Sequence, residues 1–103
     1  MRQARIFFRG EPAGILKELE RGKSYRFEYD ESYGGAGISL AMPPSLKIYP
    51  FDSFPPFFDG LLPEGPQLEA LLRQAKLDRA DLFGQLITVG ADLIGAVTAE
   101  EIS

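Results

Sequence analysis

The 103-residue sequence contains no cysteine and no histidine. Without cysteine there is neither a disulfide nor a thiolate metal site. Without histidine the commonest general base and metal ligand is missing. Zinc, haem and triad chemistry of the usual kinds are thereby excluded, and no metal or cofactor is expected. No apolar run approaches the ~20 residues of a membrane span. The apolar part of the opening MRQARIFFRG is too short for a secretory signal. A soluble, cytoplasmic protein is the expectation. Basic runs are absent as well, with 11 Lys/Arg against 15 Asp/Glu and a net charge of −4. Binding to nucleic acid rests largely on phosphate neutralisation, so direct binding by this chain is not expected.

What is present has a globular composition, 45% hydrophobic and 25% charged. A chain of this length reads as one domain, over residues 1–103. Charge is unevenly spread. Residues 1–30 hold seven Lys/Arg against five Asp/Glu, residues 31–66 one against four, and residues 67–103 three against six.

ARIFFR (Ala4–Arg9) predicts a first strand, and Gly10-Glu11-Pro12-Ala13-Gly14 a turn. Gly14–Leu19 reads as a second strand, closed by a hairpin turn at Glu20-Arg21-Gly22-Lys23. In Ser24–Asp30, Tyr25, Phe27 and Tyr29 alternate with Arg26, Glu28 and Asp30, the pattern of a half-buried strand. Ser32–Gly37 reads as a flexible loop, and Ile38–Met42 as a short strand ended by Pro43-Pro44. Seven of the eight prolines lie between Pro43 and Pro66, where regular structure should be scarce.

Two helices are predicted beyond that span. One begins at Pro66 with Leu68, Leu71, Leu72 and Ala75 on a single stripe. Asp78 reads as the cap of the second, with Leu77 and Leu82 as a staple and Leu82, Phe83, Leu86 and Ile87 as the buried face. Gly90 reads as a left-handed stop. Leu93–Thr98 predicts a last strand, followed by a tail over Glu100–Ser103. The fold class is therefore α+β: a small, mostly antiparallel sheet of about five short strands with two consecutive helices.

Few residues offer chemistry. Gly34-Gly35-Ala36-Gly37 lacks the Gly-Lys-Ser/Thr end of a phosphate loop, and no helix follows it, so a plain turn explains it. Asp59 and Glu64 flank an apolar patch, but no base or nucleophile accompanies them. Glu64 suits the start of a helix, and Asp92 a turn. Tyr25 and Tyr29 belong to a strand face, whereas Tyr33 and Tyr49 fall in loops and could anchor a partner. No catalytic residues are assigned.

FPPFFDGLLPEG (Phe54–Gly65) stands apart, being too apolar for a loop and too proline-rich for an element. A domain this small has limited capacity to bury Tyr49, Phe51, Phe54, Phe57, Phe58, Leu61 and Leu62 together. The expectation is a core-closing LLPEG stretch beside a stiff aromatic partner surface made of Tyr49, Phe51, Phe54, Pro55, Pro56, Phe57, Phe58 and Asp59.

The same block resembles the fPfFxxLLPEG segment of HipA-type kinases. ISLAMP (Ile38–Pro43) resembles a strand of that family, YRFEYDESY (Tyr25–Tyr33) its F-x-Y-d strand end, and GADLIGAV (Gly90–Val97) its G-x-D-x-x-G-A-v close. The resemblance is to the N-terminal subdomain, and no kinase loop can be fitted into the chain. It implies a HipS-like small subunit of a split HipBST toxin–antitoxin system. Such a subunit would bind and neutralise a HipT-like serine/threonine kinase, in a ternary complex with a HipB-like helix-turn-helix DNA-binding protein. An alternative is a structural subunit that assembles kinase and DNA-binding protein without inhibiting. A free-standing enzyme is the least supported reading.

Overall fold

Alternating apolar residues near the amino terminus become three consecutive antiparallel strands in the structure, a computed structural model that describes residues 1–93 and 95–102. β1 (Gln3–Phe8) buries Ala4 and Ile6, β2 (Glu11–Glu20) buries Ala13 and Leu16, and β3 (Ser24–Tyr29) buries Tyr25, Phe27 and Tyr29. β1 passes to β2 through Arg9 and Gly10, both at positive φ (53° and 81°). Two such residues give the twist that a two-residue hairpin needs. Pairing resumes at Glu11, so the turn expected over Gly10–Gly14 is confined to its first residue and Arg9. Pro12 is tolerated inside β2 because it lies at a register irregularity and beyond the last β3 pair, Gly14↔Tyr29. The second hairpin closes through Arg21–Lys23, as the sequence predicts.

β4 (Ile48–Phe51) and β5 (Val97–Ile102) complete a five-stranded sheet in the order β4-β3-β2-β1-β5, every pair antiparallel. β5 starts later than expected. Glu100, Glu101 and Ile102, read as tail, pair with Arg5, Ala4 and Gln3. Ile94 and Ser103, on which parts of those expectations fell, lie outside the described residues. Ile38–Met42 is not a strand. Met42 donates its N–H to the Ser39 carbonyl at 3.0 Å, which leaves a tight turn with one isolated bridge.

Three helices follow β4: α1 (Pro56–Asp59), α2 (Gly65–Ala75) and α3 (Leu82–Val89), the last running into a 3-10 turn at Gly90–Asp92. α1 and β4 both fall in the proline-rich span where the sequence predicts little regular structure. Pro56 stands at the start of α1, where a missing N–H costs nothing. α2 keeps Leu68, Leu71 and Leu72 only half-buried, and Ala75 is exposed. Asp81, rather than Asp78, caps α3, its Oδ1 accepting from Gly84 N at 3.0 Å. Asp78 Oδ1 instead accepts from Ala80 N at 2.8 Å and shapes the approach. Because α3 begins at Leu82, Leu77 and Leu82 do not flank a cap, and the staple is lost. Gly90 is right-handed (φ −54°), not a left-handed stop. Its role is close approach: a Cβ there would stand 2.1 Å from the Ala99 carbonyl oxygen of β5.

The covered face of the sheet carries Ile6, Leu16, Tyr25, Phe27, Tyr29, Val97 and Ala99. Phe54, Phe58, Leu62, Phe83 and Leu86 pack with them in one hydrophobic cluster. One face buried and one open to water is the usual arrangement for an antiparallel sheet.

Candidate partner surface

The proline-rich aromatic segment lies over the tyrosine–phenylalanine face of β3. Phe54 meets Tyr25 edge-on at 5.4 Å between ring centroids, and Phe58 packs on Phe27 at 6.0 Å. Phe54, Pro55 and Phe58 are buried; Phe51 and Phe57 are half-buried; Pro56 and Asp59 are exposed. Tyr49 is half-buried in β4, and its hydroxyl donates to the Pro43 carbonyl at 2.5 Å. Surplus aromatic surface is therefore not what this segment offers. Three of the eight residues expected to form a partner face are interior residues of the chain's own core. The sheet presents one long aromatic face, and the segment is its lid.

Apart from Met1 and Leu19, the exposed large apolar side chains among the described residues lie just upstream. Leu40 is 103% exposed, Leu46 55% and Ile48 50%. In β4, Tyr49 and Phe51 turn toward the core, which sends Ile48 and Pro50 to the other side of this edge strand. Leu40 projects from the tight turn whose flanking Ile38 and Met42 are buried. The whole approach to β4 is tied down by tyrosine hydroxyls. Tyr29 donates to the Met42 carbonyl and accepts from Ile38 N at 3.0 Å, while Tyr33 donates to the Ala36 carbonyl at 2.5 Å. Tyr33, expected on a loop surface, is 5% exposed. Burial pushes the hydroxyls of Tyr29 and Tyr33 above the ordinary tyrosine value of 10.0, which keeps them as donors. A segment held this way presents its leucines with little freedom left to lose on docking. Sequence reasoning missed Leu40, Leu46 and Ile48. The alternation in KIYPF (Lys47–Phe51) contains the signal for Ile48, whereas nothing local marks Leu40.

A cluster of charges sits elsewhere, around Arg2. Its Nε and Nη2 donate to Glu18 at 2.7 and 2.9 Å, and Nη2 and Nη1 donate to Asp81 at 2.8 and 3.2 Å. The guanidinium also lies 5.2 Å from the centroid of the Phe83 ring. Burial works to raise the Glu18 carboxyl. The Arg2 hydrogen bond and the Gly22 amide outweigh it, leaving Glu18 below its ordinary 4.5. Asp81 is held below 3.8, chiefly by its bond from Arg2. Glu18 also accepts from Gly22 N at 3.1 Å and faces the Tyr25 hydroxyl at 3.4 Å. With its acceptors taken up inside the protein, this cluster is a clasp between β1, β2 and the α3 cap. Among the described residues, no group of three or more His, Cys, Asp or Glu is placed to hold a metal ion. No helix among them is long and apolar enough to cross a membrane.

These features define a small α+β domain with an antiparallel sheet, a lid of aromatic residues and a displayed apolar edge. A family model for the HipA N-terminal domain matches residues 4–100, and the chain belongs to that family. An "Uncharacterized protein" of Haemophilus influenzae is 32% identical over 101 residues, covering 98% of this chain and 93% of that protein. "Putative kinase Y4dM" of Sinorhizobium fredii is 35% identical over 99 residues. That match covers 86% of this chain but 24% of the kinase, so the chain spans about a quarter of that relative. Among solved structures, one described as the N-terminal domain of HipA toxin aligns with a TM-score of 0.79 and 28% identity, over 100% of this chain and 94% of that one.

Proposed function

We propose that this chain is a single-domain, non-catalytic, HipS-like regulatory subunit that acts in the cytoplasm. It binds a HipT-like serine/threonine kinase of the HipA family and neutralises it, in a ternary complex with a HipB-like DNA-binding protein. The observation that carries this reading is the set of exposed apolar side chains Leu40, Leu46 and Ile48 on the hydrogen-bonded approach to and start of β4, on a domain similar to a segment of a putative kinase. Apolar patches of this kind mark interaction sites. Of the aromatic segment, Tyr49, Phe51, Pro56, Phe57 and Asp59 keep some exposure and can contribute a rim; Phe54, Pro55 and Phe58 support that rim from beneath. Docking against the kinase holds apart elements that must close around the nucleotide, since phosphoryl transfer needs a closed, positioned site.

One observation favours a second reading. In the Sinorhizobium relative, the similar stretch is part of the putative kinase's own chain. A domain of this type can thus serve to complete a kinase and assemble it with the DNA-binding protein without restraining it. Co-expression with a HipT-type kinase separates the two. Neutralisation predicts restored growth together with co-purification of the two chains. Co-purification without restored growth supports the structural reading, and failure of both removes the kinase from either.

A further inference from the structure

A groove of about 540 Å³ opens between the turn after α1, the start of α2 and the end of α3. It is on the scale of sites that take a ligand or an anchoring side chain. Leu61, Leu62, Val89 and Leu93 form its apolar lining, while Glu64 and Asp92 are exposed and carry the only charges among its described lining residues. No Lys or Arg is among the described lining residues.

The helical half of the chain that builds the groove has few cations of its own. Only Lys47, Arg73, Lys76 and Arg79 are basic after residue 31. Arg79 is engaged by Glu69. Arg73 and Lys76 stand at the far end of α2 from the groove. Gln67 of α2 already lines the groove, and at ~1.5 Å per residue Arg73 lies roughly 9 Å and Lys76 roughly 14 Å further along the helix, at or beyond the ~8 Å over which exposed charges are felt at physiological salt. An apolar floor with two exposed carboxylates at the rim complements one kind of occupant.

We propose that this groove binds a short extended segment of a partner protein, one that seats an apolar side chain against Leu61, Leu62, Val89 and Leu93 with lysine or arginine on either side. The proposal goes beyond the kinase reading and does not depend on it, because the groove shares no residue with the Leu40–Ile48 edge.

Gly60 lines the groove and provides a clean blocking position. It is right-handed (φ −64°), and an added Cβ would meet only the Phe57 and Pro56 carbonyl oxygens at 3.5 Å, an ordinary contact. Gly60→Leu therefore narrows the groove without backbone strain. The test uses the purified full chain and a random 12-residue peptide library displayed on phage. The enriched peptides are then synthesised and titrated by backbone amide NMR. The expected result is a consensus of one apolar residue flanked by Lys/Arg, with saturable shifts at Gly60, Leu61, Gln67 and Val89. Glu64→Lys combined with Asp92→Lys should weaken binding about tenfold, as for a pair of exposed ion pairs. Gly60→Leu should abolish binding, with the remaining amide spectrum unchanged. No enrichment, equal binding of acid-flanked peptides, shifts confined to another surface, or self-association through the groove that Gly60→Leu disperses would each overturn the proposal.

Discussion

Replacing Arg2 by methionine is expected to cost about 3–5 kcal/mol of folding stability, the usual penalty for stranding one member of a buried ion pair. Glu18 is only 4% exposed, and Arg2 is its main compensation. For a domain near this size, the loss corresponds to a fall in melting temperature of roughly 15 °C or more. It is a large part of the ~5–15 kcal/mol that holds a typical domain together. Arg2→Met/Glu18→Gln should recover much of the loss, because no buried charge remains on β2. The effect has a defined pH dependence. Glu18 and Asp81 are held below their ordinary 4.5 and 3.8 in the folded state. Their contribution is present in full above those values and disappears as the pH falls through the lower, folded ones. The difference between wild type and Arg2→Met should therefore shrink as the pH falls, starting above the ordinary carboxylate range, where burial makes the stranded Glu18 of the variant take up a proton, and ending at the lowered folded values of the wild type. Urea denaturation at a series of pH values measures it. A cost under ~1 kcal/mol, the level of exposed pairs, would show that the clasp is a surface contact.

Phe58→Ala is expected to destabilise the isolated chain by about 3–5 kcal/mol, as for other wholly buried phenylalanines. Its ring is 0% exposed and packs on Phe27, with Phe57 edge-on at 5.2 Å. Phe57→Ala, at a half-buried position, should cost roughly 1–2 kcal/mol. Leu40→Ser should fall within about 0.5 kcal/mol of wild type, as exposed positions do. This ordering distinguishes an interior lid from an aromatic docking loop. If Phe58→Ala left stability unchanged, the segment would be a docking surface after all.

The strands with period-two patterns were legible because alternation and turn residues agree. SYRFEY shows its buried face directly, and Gly22 marks its hairpin. β5 was misplaced because Glu100 and Glu101 look like a solvated tail, and only pairing with β1 makes them strand. Asp78 and Asp81 are both competent caps by residue type. Asp81 prevails because Arg2, 79 positions away in sequence, also binds it, and no local pattern reveals a partner that distant. A count of apolar residues overstates the exposure of the aromatic segment because it omits the area of the sheet beneath them. Five strands provide one broad face, and Tyr25, Phe27 and Tyr29 on it need covering as much as Phe54 and Phe58 need burying. The family resemblance is most specific in these same twelve residues, but it does not say which of them face outward.

The most direct measurement is the dissociation constant between this chain and a HipT-type kinase, by calorimetry, for wild type and for Leu40→Asp combined with Ile48→Asp. Both residues are exposed, so the variant should stay folded, with a melting temperature lower by roughly 5 °C because a carboxylate at 48 stands opposite Glu28 on β3. If the Leu40–Ile48 edge is the docking face, the variant should bind about 100-fold more weakly or not at all, as when anchor residues of an interface are lost. Binding by the folded variant as tight as wild type would contradict it.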